Sequence, residues 1–351
     1  MRKRIKIINK VILLTGAGGY IGAVTTKTLL NKGYEVRALD SFYWGLKPLQ
    51  EFKNNIEIIR EDIRNVNPKI LNGVHTVIHT AGLSNDPMAD FNPSANFEIN
   101  TTATARLAKI CKKNGVKKFI FASSASIYDR ARGGNILQDE SSNVSPVAAY
   151  SLSKFKAEQE IIKIKNNDFC PVIFRQGTVY GYSPRLRYDL VVNTMVKDAL
   201  NCRRINVFCK GMQWRPLVDV RDVAEAYVRA IECKNLMING QVFNLLYKNY
   251  TMIELARIVK KILKEKFNLD IRIVIDNTPK IGRNYKISSE KLNRYFKWKP
   301  KYSVEDAVQD LVKQIKRNTN TDFTHPRYYN IEWMKLLVET SQILSSTDKI
   351  F

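Results

Sequence analysis

A glycine-rich turn between a short apolar run and a helical pattern constrains the fold of this chain more than any other feature. Gly16, Gly19 and Gly22 stand three residues apart, after the apolar residues 11–14 and before the helical pattern of residues 23–30. Residues without a Cβ atom permit a tight turn and let the backbone approach a pyrophosphate, which the free N–H groups of the next helix stabilise. A glycine triplet alone is often only a loop, but this one has the strand and helix that a dinucleotide site requires.

Strand and helix patterns alternate through the first half of the chain. Strand patterns cover residues 11–14, 34–40, 56–59, 74–79, 119–122 and 172–174, and helical patterns cover 23–30, 103–111 and 151–163. Such alternation predicts an α/β fold, a Rossmann-type doubly wound parallel sheet with right-handed crossovers. Later in the chain, helical patterns at 190–200 and 252–264 are separated by turn-rich segments. One of these segments, residues 218–231, is expected to return to the sheet.

The end of the second predicted strand indicates which dinucleotide binds. Asp40 lies about 20 residues beyond the glycine turn, where a carboxylate binds the hydroxyls of the adenosine ribose. Ser41 and the three residues after it provide no cation for a 2′-phosphate, so the sequence favours NAD over NADP. Asp62 and Ile63, after the third strand, are placed to bracket the adenine. The alternative for Asp40 is an exposed charge at a strand end.

These patterns predict a division into two domains. Residues 1–180 form an NAD-binding Rossmann domain, to which residues 217–244 return. Residues 181–216 and 245–351 form a smaller C-terminal lobe that binds substrate. A lobe of this kind closes over the first domain, and ligand sites are common between two such units.

A tyrosine and a lysine four residues apart suggest proton chemistry. Tyr150 and Lys154 lie one turn apart on one face of a predicted helix. A free tyrosine, with a pKa of about 10, is a poor base at neutral pH, but a nearby ammonium group favours the phenolate. By itself this pair is common on protein surfaces. The serines at 123, 124 and 126, which end the fifth predicted strand, place a hydroxyl where the nicotinamide should lie.

Composition excludes several classes of protein. The chain has 351 residues, 44% hydrophobic and 26% charged, as in a soluble globular protein, and no apolar run approaches the roughly 20 residues of a membrane helix. The basic start leads directly into the glycine turn, so we expect no signal peptide and a cytoplasmic protein. Five scattered cysteines and three unclustered histidines predict neither a disulfide framework nor a metal site.

The net charge of +24 leaves two interpretations open. It favours nucleic acid, a membrane surface or an anionic substrate as a partner, or it reflects lysines spread over a solvated surface. The basic residues occur throughout the chain without one long basic tail, which favours the second interpretation.

Taken together, these motifs resemble the extended short-chain dehydrogenases/reductases, and within them the NAD-dependent nucleotide-sugar epimerases and dehydratases related to UDP-galactose 4-epimerase. The resemblance runs from about residue 10 to 312, in family order. The segments that carry it are residues 15–22, Asp40, 62–63, 77–82, Asn100, 123–128, 150–154 and 214–224.

The resemblance implies a role for individual residues and a homodimer built through a helix bundle. The implied catalytic residues are Ser124, which bonds the reacting sugar oxygen, Tyr150, the base, and Lys154, which orients the nicotinamide ribose and tunes the tyrosine. The implied cofactor contacts are Gly16, Gly19, Tyr20, Ile21, Gly22, Asp40, Ser41, Asp62, Ile63, Ala81, Gly82, Asn100, Tyr150 and Lys154. The implied contacts to a nucleotide-diphosphate sugar are Ser84, Ser124, Ser126, Thr178, Arg187, Asn193, Arg215 and Arg283.

Residues that are missing favour one reaction within this family. Sugar 4,6-dehydratases carry Asp-Glu directly after the catalytic hydroxyl residue, and UDP-glucuronate decarboxylases carry a glutamate nearby. This chain has Ala125 and Ser126 there, which cannot do acid–base work at neutral pH. The pattern is therefore closest to a 4-epimerase, which oxidises C4 to a ketone and returns hydride to the other face.

Departures from the family pattern keep alternatives open. Asp129, Ser84, Thr178 and Asp219 each stand where 4-epimerases have another residue, and Arg185 and Arg187 lie beside the expected sugar pocket. The two arginines either bind an extra substituent of the sugar or are surface charge. A net 4-dehydrogenase or a dehydratase is the alternative within the family. An RNA-binding protein on the same scaffold is the alternative from another class.

Overall fold

Strands and helices alternate along most of the chain. The computed structural model describes residues 8–129, 136–278 and 283–346; the basic start of the chain lies outside the described residues. Within these ranges the strands are β1 (Ile8–Thr15), β2 (Tyr34–Asp40), β3 (Glu57–Arg60), β4 (Val74–His79), β5 (Lys118–Ser124), β6 (Leu137–Gln138), β7 (Cys170–Gln176), β8 (Thr178–Tyr180), β9 (Arg204–Phe208), β10 (Trp214–Asp219), β11 (Gln241–Leu245), β12 (Lys248–Thr251), β13 (Arg272–Asp276) and β14 (Lys286–Ile287). The helices are α1 (Tyr20–Asn31), α2 (Asp86–Phe91), α3 (Pro93–Phe97), α4 (Thr104–Lys113), α5 (Ala149–Lys163), α6 (Val191–Cys202), α7 (Val220–Glu232), α8 (Asn235–Ile238), α9 (Met252–Phe267), α10 (Glu290–Phe296), α11 (Val304–Arg317) and α12 (Asn330–Ser346), with a π-helical segment (Glu98–Ala103) between α3 and α4.

Seven strands form one parallel sheet in the order β11-β7-β5-β4-β1-β2-β3. This arrangement confirms the predicted doubly wound α/β fold. Both faces of the sheet are covered, as a parallel sheet requires: Phe119 and Phe121 of β5 belong to one hydrophobic cluster, and Ile120 and Ala122 to another. The strand order reverses between β1 and β4, so a crevice opens at the carboxyl ends of these strands.

One expectation about the second half of the chain is wrong. The turn-rich segment expected over residues 218–231 is largely helix α7, which contacts α1 on the sheet. Val220, Val223, Ala224 and Tyr227 are buried, and their spacing of three and four residues is that of a helix packed along one face. Strand β11 follows and forms the edge of the sheet beside β7.

A second hydrophobic core lies outside the sheet. It is formed by buried residues of α6, α9 and α11, among them Val196, Val259 and Leu311. This separate core supports the predicted C-terminal lobe, although the division into two domains stays a proposal. None of the helices in the described ranges has both the length and the apolar character needed to cross a bilayer.

Candidate functional site

A cavity of about 520 Å³ opens at the carboxyl ends of β1, β2, β4 and β5. Its wall comes from the glycine turn, from the ends of these strands and from segments later in the chain. The predicted site residues on this wall are Gly16, Gly19, Tyr20, Ile21, Gly22, Asp40, Ser41, Asp62, Ile63, Ala81, Gly82, Ser84, Ser124, Tyr150, Thr178, Arg187, Arg215 and Arg283. Lys154, Asn100, Ser126 and Asn193 lie behind it.

The glycine turn brings the backbone close to the neighbouring loop. A Cβ atom on Gly16, whose φ is +73°, would lie 2.6 Å from the backbone nitrogen of Ala81. A Cβ atom on Gly22 would lie 2.0 Å from the carbonyl oxygen of Gly16. Helix α1 then begins at Tyr20 without a side-chain cap, which leaves N–H groups of its first turn available to an anion at the cavity. The turn therefore fits a dinucleotide diphosphate.

The carboxylate of Asp40 is fixed at the end of β2. It accepts hydrogen bonds from the backbone nitrogens of Gly18 at 3.0 Å and Phe42 at 2.7 Å. Burial raises the pKa of Asp40, and these two hydrogen bonds act in the opposite direction. Asp62 pairs with Arg64, and that hydrogen bond lowers the pKa of Asp62. Both carboxylates line the cavity, and their contacts with ribose and adenine stay predictions.

Asn100 holds the loop after β4 in place from behind the cavity wall. Its Oδ1 accepts a hydrogen bond from the Leu83 nitrogen, and its Nδ2 donates to the Leu83 oxygen, both at 2.9 Å. The amide lies so close to Gly82 that a Cβ atom there would be 2.6 Å from Oδ1 of Asn100. Asn100 occupies the π-helical segment, a type of helix distortion that is frequent at functional sites.

The predicted acid–base group assembles at the end of β5. Ser124 ends this strand and Tyr150 lies in the first turn of α5, and both side chains line the cavity. Burial raises the pKa of Tyr150, while the charge of Arg283 and the neighbouring Ser124 hydroxyl lower it. Arg187 acts in the same direction as Arg283.

Lys154 lies against the end of β5. Its Nζ donates to the carbonyl oxygen of Ala122 at 3.1 Å and lies 4.9 Å from the ring centre of Phe121. Burial lowers the pKa of Lys154 to about 8, and Glu158 partly offsets this effect. The cations that act on the pKa of Tyr150 are Arg283 and Arg187, and the role of Lys154 towards the nicotinamide ribose and Tyr150 stays a prediction.

A buried polar network fixes the strand ends beside Ser124. Glu158 pairs with Arg175 through Oε2 and Nη2 at 2.8 Å and also accepts a hydrogen bond from Ser123. Arg175 donates to the hydroxyl of Tyr128 at 2.8 Å, which in turn donates to Asn244 at 2.9 Å. The network joins β5, α5, β7 and β11, and through Ser123 it reaches the cavity wall beside Ser124.

Two residues predicted to contact substrate instead support their neighbours. Ser126 is buried and accepts a hydrogen bond from Ser124 at 2.9 Å. Asn193 accepts from the Gly181 nitrogen at 3.1 Å and donates to the Arg187 oxygen at 2.9 Å. Neither side chain lines the cavity. The polar atoms of each form hydrogen bonds with a segment that does line it.

Basic side chains surround the part of the cavity near Tyr150. Arg187 is buried, forms an ion pair with Asp189 at 2.8 Å and donates to Ser84 at 3.2 Å. Arg283 forms an ion pair with Asp86, and its guanidinium carbon lies 5.9 Å from the ring centre of Tyr150. Arg215 and Thr178 complete this side of the wall.

The sequence analysis missed a contribution from a segment late in the chain. Asn330 and Met334 of α12 line the cavity. The indole nitrogen of Trp333 donates to the Tyr43 oxygen at 2.8 Å, and that of Trp44 donates to the Arg327 oxygen at 3.1 Å. Because these partners are almost 300 residues apart in the chain, no local pattern in the sequence indicates the contact.

Arg185, Asp189 and Tyr285 also line the cavity without having been assigned a role. Arg185 and Arg187 are both buried, so the interpretation of the pair as surface charge does not hold. In the sequence, the only indication of a role for Arg185 and Arg187 is that they occur as a pair. Their burial results from contacts with residues of other elements.

Comparison with known proteins agrees with this site. The profile of the NAD dependent epimerase/dehydratase family matches residues 12–245. A protein of Methanocaldococcus jannaschii, provisionally named UDP-glucose 4-epimerase, is 29% identical over 324 residues, which cover 89% of this chain and 100% of that protein. UDP-glucuronic acid decarboxylase 2 of Arabidopsis thaliana is 26% identical over 319 residues, 89% of this chain and 69% of that protein.

A solved structure is similar over most of its length. The UDP-glucuronic acid 4-epimerase of Bacillus cereus, in complex with UDP-glucuronic acid and NAD, superposes with a TM-score of 0.74 at 25% identity, covering 88% of this chain and 99% of that one. The match of the family profile extends over most of this chain and includes the glycine turn, Ser124, Tyr150 and Lys154. The chain is an enzyme that uses NAD and belongs to the NAD dependent epimerase/dehydratase family.

Proposed function

We propose that this enzyme is a nucleotide-sugar 4-epimerase that acts through a 4-keto intermediate. The observation that carries the proposal is the placement of Ser124, at the end of β5, and Tyr150, in the first turn of α5, on the wall of the cavity that the glycine turn also lines. The relatives named 4-epimerases support the same reaction. The residues assigned to binding and catalysis below are proposals of the same kind.

Each residue of the acid–base group has one task in this reaction. Bound NAD supplies the acceptor and donor of hydride. Tyr150, as the phenolate, takes the proton from the C4 hydroxyl. It returns the proton to the C4 oxygen after the 4-keto sugar has rotated to present its other face. Ser124 holds the C4 oxygen by a hydrogen bond and orients Tyr150. Lys154 and Asn100 fix the strand and loop on which these groups depend.

The charges around Tyr150 argue against proton transfer at C5. A dehydratase or decarboxylase of the resembled kind uses a carboxylate next to the catalytic hydroxyl residue, and Ala125 and Ser126 occupy that place. Among the described residues of the cavity wall, Asp86 and Asp189 are the carboxylates that act on this region, and each forms an ion pair with an arginine. Each carboxylate is thus held by a guanidinium group and neither is free to take a proton from C5, so epimerisation is favoured over dehydration.

The arginines beside Tyr150 support a nucleotide-diphosphate sugar as substrate. Arg215 and Arg283 line the same side of the cavity, and guanidinium groups bind phosphates through paired hydrogen bonds. Several relatives carry the names of UDP-sugar enzymes, so UDP-sugars are the first to test.

We also propose a homodimer. A groove on α3, α4 and α5 is lined by Phe97, Ala105 and Lys156, and the Phe97 side chain is 42% exposed with the Lys156 ammonium over its ring. An exposed aromatic residue on a helical pair is suited to contact with a second copy. Analytical ultracentrifugation would measure the oligomeric state.

The reaction is tested by incubating the enzyme with UDP-, GDP-, CDP- and dTDP-sugars in deuterated water, followed by NMR of the products. We expect one of these sugars to be inverted at C4, without deuterium from the solvent and without accumulation of reduced cofactor. A keto sugar formed together with stoichiometric reduced cofactor would identify a 4-dehydrogenase instead, and deuterium at C5 would identify a dehydratase. Absence of turnover and of NAD in the denatured protein would contradict the enzyme assignment.

Loss of Arg283 should shift the pH dependence of the reaction. The Arg283 charge lowers the pKa of Tyr150. Asp86, the ion-pair partner of Arg283, raises this pKa. Arg283→Gln removes the cation and frees the carboxylate, so both changes raise the pKa of Tyr150. Because the phenolate is the active form, we expect the acidic limb of the kcat profile to move to higher pH.

Arg283→Lys keeps the charge and is the matched control for this measurement. Its acidic limb should stay close to that of the wild type, whatever the change in KM. If both variants raise KM and neither moves the limb, Arg283 acts in substrate binding without influencing Tyr150.

A further inference from the structure

Arg185 is a buried arginine with one unsatisfied nitrogen on the wall of the cavity. The residue is 5% exposed. Its Nη2 donates to Oδ1 of Asn330 at 2.6 Å, and its guanidinium carbon lies 4.1 Å from the ring centre of Trp44. Its Nη1 is buried and has no hydrogen-bond partner among the described residues. Buried donors are almost always paired, so this nitrogen points to a ligand in the cavity.

Two contacts locate Arg185 beside the first turn of α1. The Ser183 hydroxyl donates to the Tyr20 oxygen at 2.7 Å, and the backbone nitrogen of Arg185 donates to that same hydroxyl at 3.3 Å. Tyr20 is the first residue of α1, immediately after the glycine turn. The backbone of Arg185 therefore lies beside the N-terminus of this helix.

Asp40 is the other landmark near Arg185. Asp40 and Arg185 line the same cavity, and the Arg185 charge partly offsets the effect of burial, which raises the pKa of Asp40. Asp40 is held at the end of β2, the predicted contact for the adenosine ribose. A group between this carboxylate and the start of α1 occupies the position of the diphosphate in a dinucleotide bound along the sheet edge.

Arg185 lies near other positive charges. Burial and the neighbouring Arg187 lower the pKa of Arg185 to about 9, and Arg327 adds to this effect. Asp189 is already paired with Arg187. Asp40 accepts from the backbone nitrogens of Gly18 and Phe42 and does not pair with Nη1 of Arg185, so a diphosphate would supply the missing acceptor.

We propose that Arg185 binds the diphosphate of the dinucleotide from the side opposite the glycine turn, and that Trp44 and Asn330 hold its guanidinium group in place. The proposal rests on NAD binding in this cavity. The diphosphate of the sugar nucleotide has the same chemistry, but the arginines suited to it, Arg215 and Arg283, lie at the Tyr150 end. Arg185 lies beside Tyr20, Asp40 and Trp44.

Binding to enzyme stripped of cofactor tests the proposal without requiring turnover. Calorimetry would compare wild type with Arg185→Gln, using NAD, ADP, adenosine and UDP as ligands. We expect Arg185→Gln to weaken NAD and ADP by about 10- to 100-fold, as for the loss of a hydrogen bond to a charged group. Adenosine has no phosphate, so the affinity of the variant for it should stay within about twofold of the wild-type affinity. The affinity for UDP should stay within the same range if the arginine contacts the dinucleotide alone.

Two further variants keep the test decisive if Arg185→Gln folds poorly. Arg185→Lys keeps the charge but loses the planar fork, and Asn330→Ala removes a residue that orients it, so each should weaken ADP and leave adenosine unchanged. Arg229→Gln is the matched control, because Arg229 is 39% exposed and pairs with Glu225 on the surface of α7. It should not change the affinity for any of the four ligands.

The remaining outcomes overturn the proposal. Loss of UDP affinity with unchanged NAD affinity would assign Arg185 to the sugar nucleotide. Unchanged affinity for all four ligands, with a lower melting temperature, would make it a purely structural residue. Failure of the wild type to bind NAD would contradict the proposed function itself, which is a distinct result.

Discussion

Tyr150→Phe is expected to lower kcat by about 10²- to 10⁴-fold, the usual contribution of one general acid–base group. The substitution removes the hydroxyl that takes the proton from the sugar and leaves a ring of almost the same volume. The melting temperature and the NAD content should therefore change little. Steady-state kinetics on the sugar identified by NMR, with NAD measured after denaturation, would check all three expectations.

Tyr180→Phe is the matched control for this variant. Tyr180 is also a buried tyrosine, but its hydroxyl donates to the Tyr302 oxygen at 2.7 Å, and the residue does not line the cavity. Its loss should change stability more than kcat. A Tyr150→Phe enzyme that keeps wild-type turnover would assign the proton transfer to another group.

Glu158→Gln is expected to destabilise the protein more than any other polar substitution described here. Glu158 is 1% exposed and compensates the charge of Arg175, which is 6% exposed. Removal of one member of a buried ion pair leaves the other charge unpaired and typically costs about 3–5 kcal/mol of unfolding free energy. Denaturant unfolding followed by circular dichroism would measure the loss.

Two comparisons separate this effect from a general loss of charge. Glu160→Gln, on the exposed side of the same helix, removes a surface pair with Lys163 and should leave the unfolding transition unchanged. The double variant Glu158→Gln/Arg175→Met removes both charges and should recover part of the stability, because a buried pair can be replaced by apolar groups at little cost. A double variant less stable than the single one would show that Arg175 is held chiefly by Tyr128.

The parts of the fold and site that could be predicted are those encoded over short distances. The spacing of Gly16, Gly19 and Gly22 and the position of Asp40 specify the turn and the strand end beside it, because one βαβ unit contains them all. Tyr150 and Lys154 are one helical turn apart, so their common helix was predictable. Their orientation was not: Lys154 turns towards Ala122, a strand residue distant in sequence.

The unpredicted parts depend on contacts between distant segments. Residues 218–231, predicted as a turn-rich segment, contain no glycine and have apolar residues at helical spacing. Their burial against α1 determines the helix. Arg185 could be surface charge as far as its neighbours in the sequence show. Asn330 and Trp44, from opposite ends of the chain, decide that it is buried. The resemblance implies that Asn193 contacts the substrate, but its side chain bonds the backbone of Gly181 and Arg187. These partners cannot be inferred from a local pattern in the sequence.

The cavity wall contributed by Asn330 and Met334 has a consequence for the timing of assembly on the ribosome. The seven strands of the sheet are all synthesised by the time β11 is made, so the sheet can form first, as N-terminal units generally do. The residues of α12 emerge on the order of 10 s later at ordinary rates of elongation. During that interval the nascent chain has its glycine turn and Tyr150 but lacks part of its wall. A cofactor that binds early therefore meets a site more open than that of the finished enzyme.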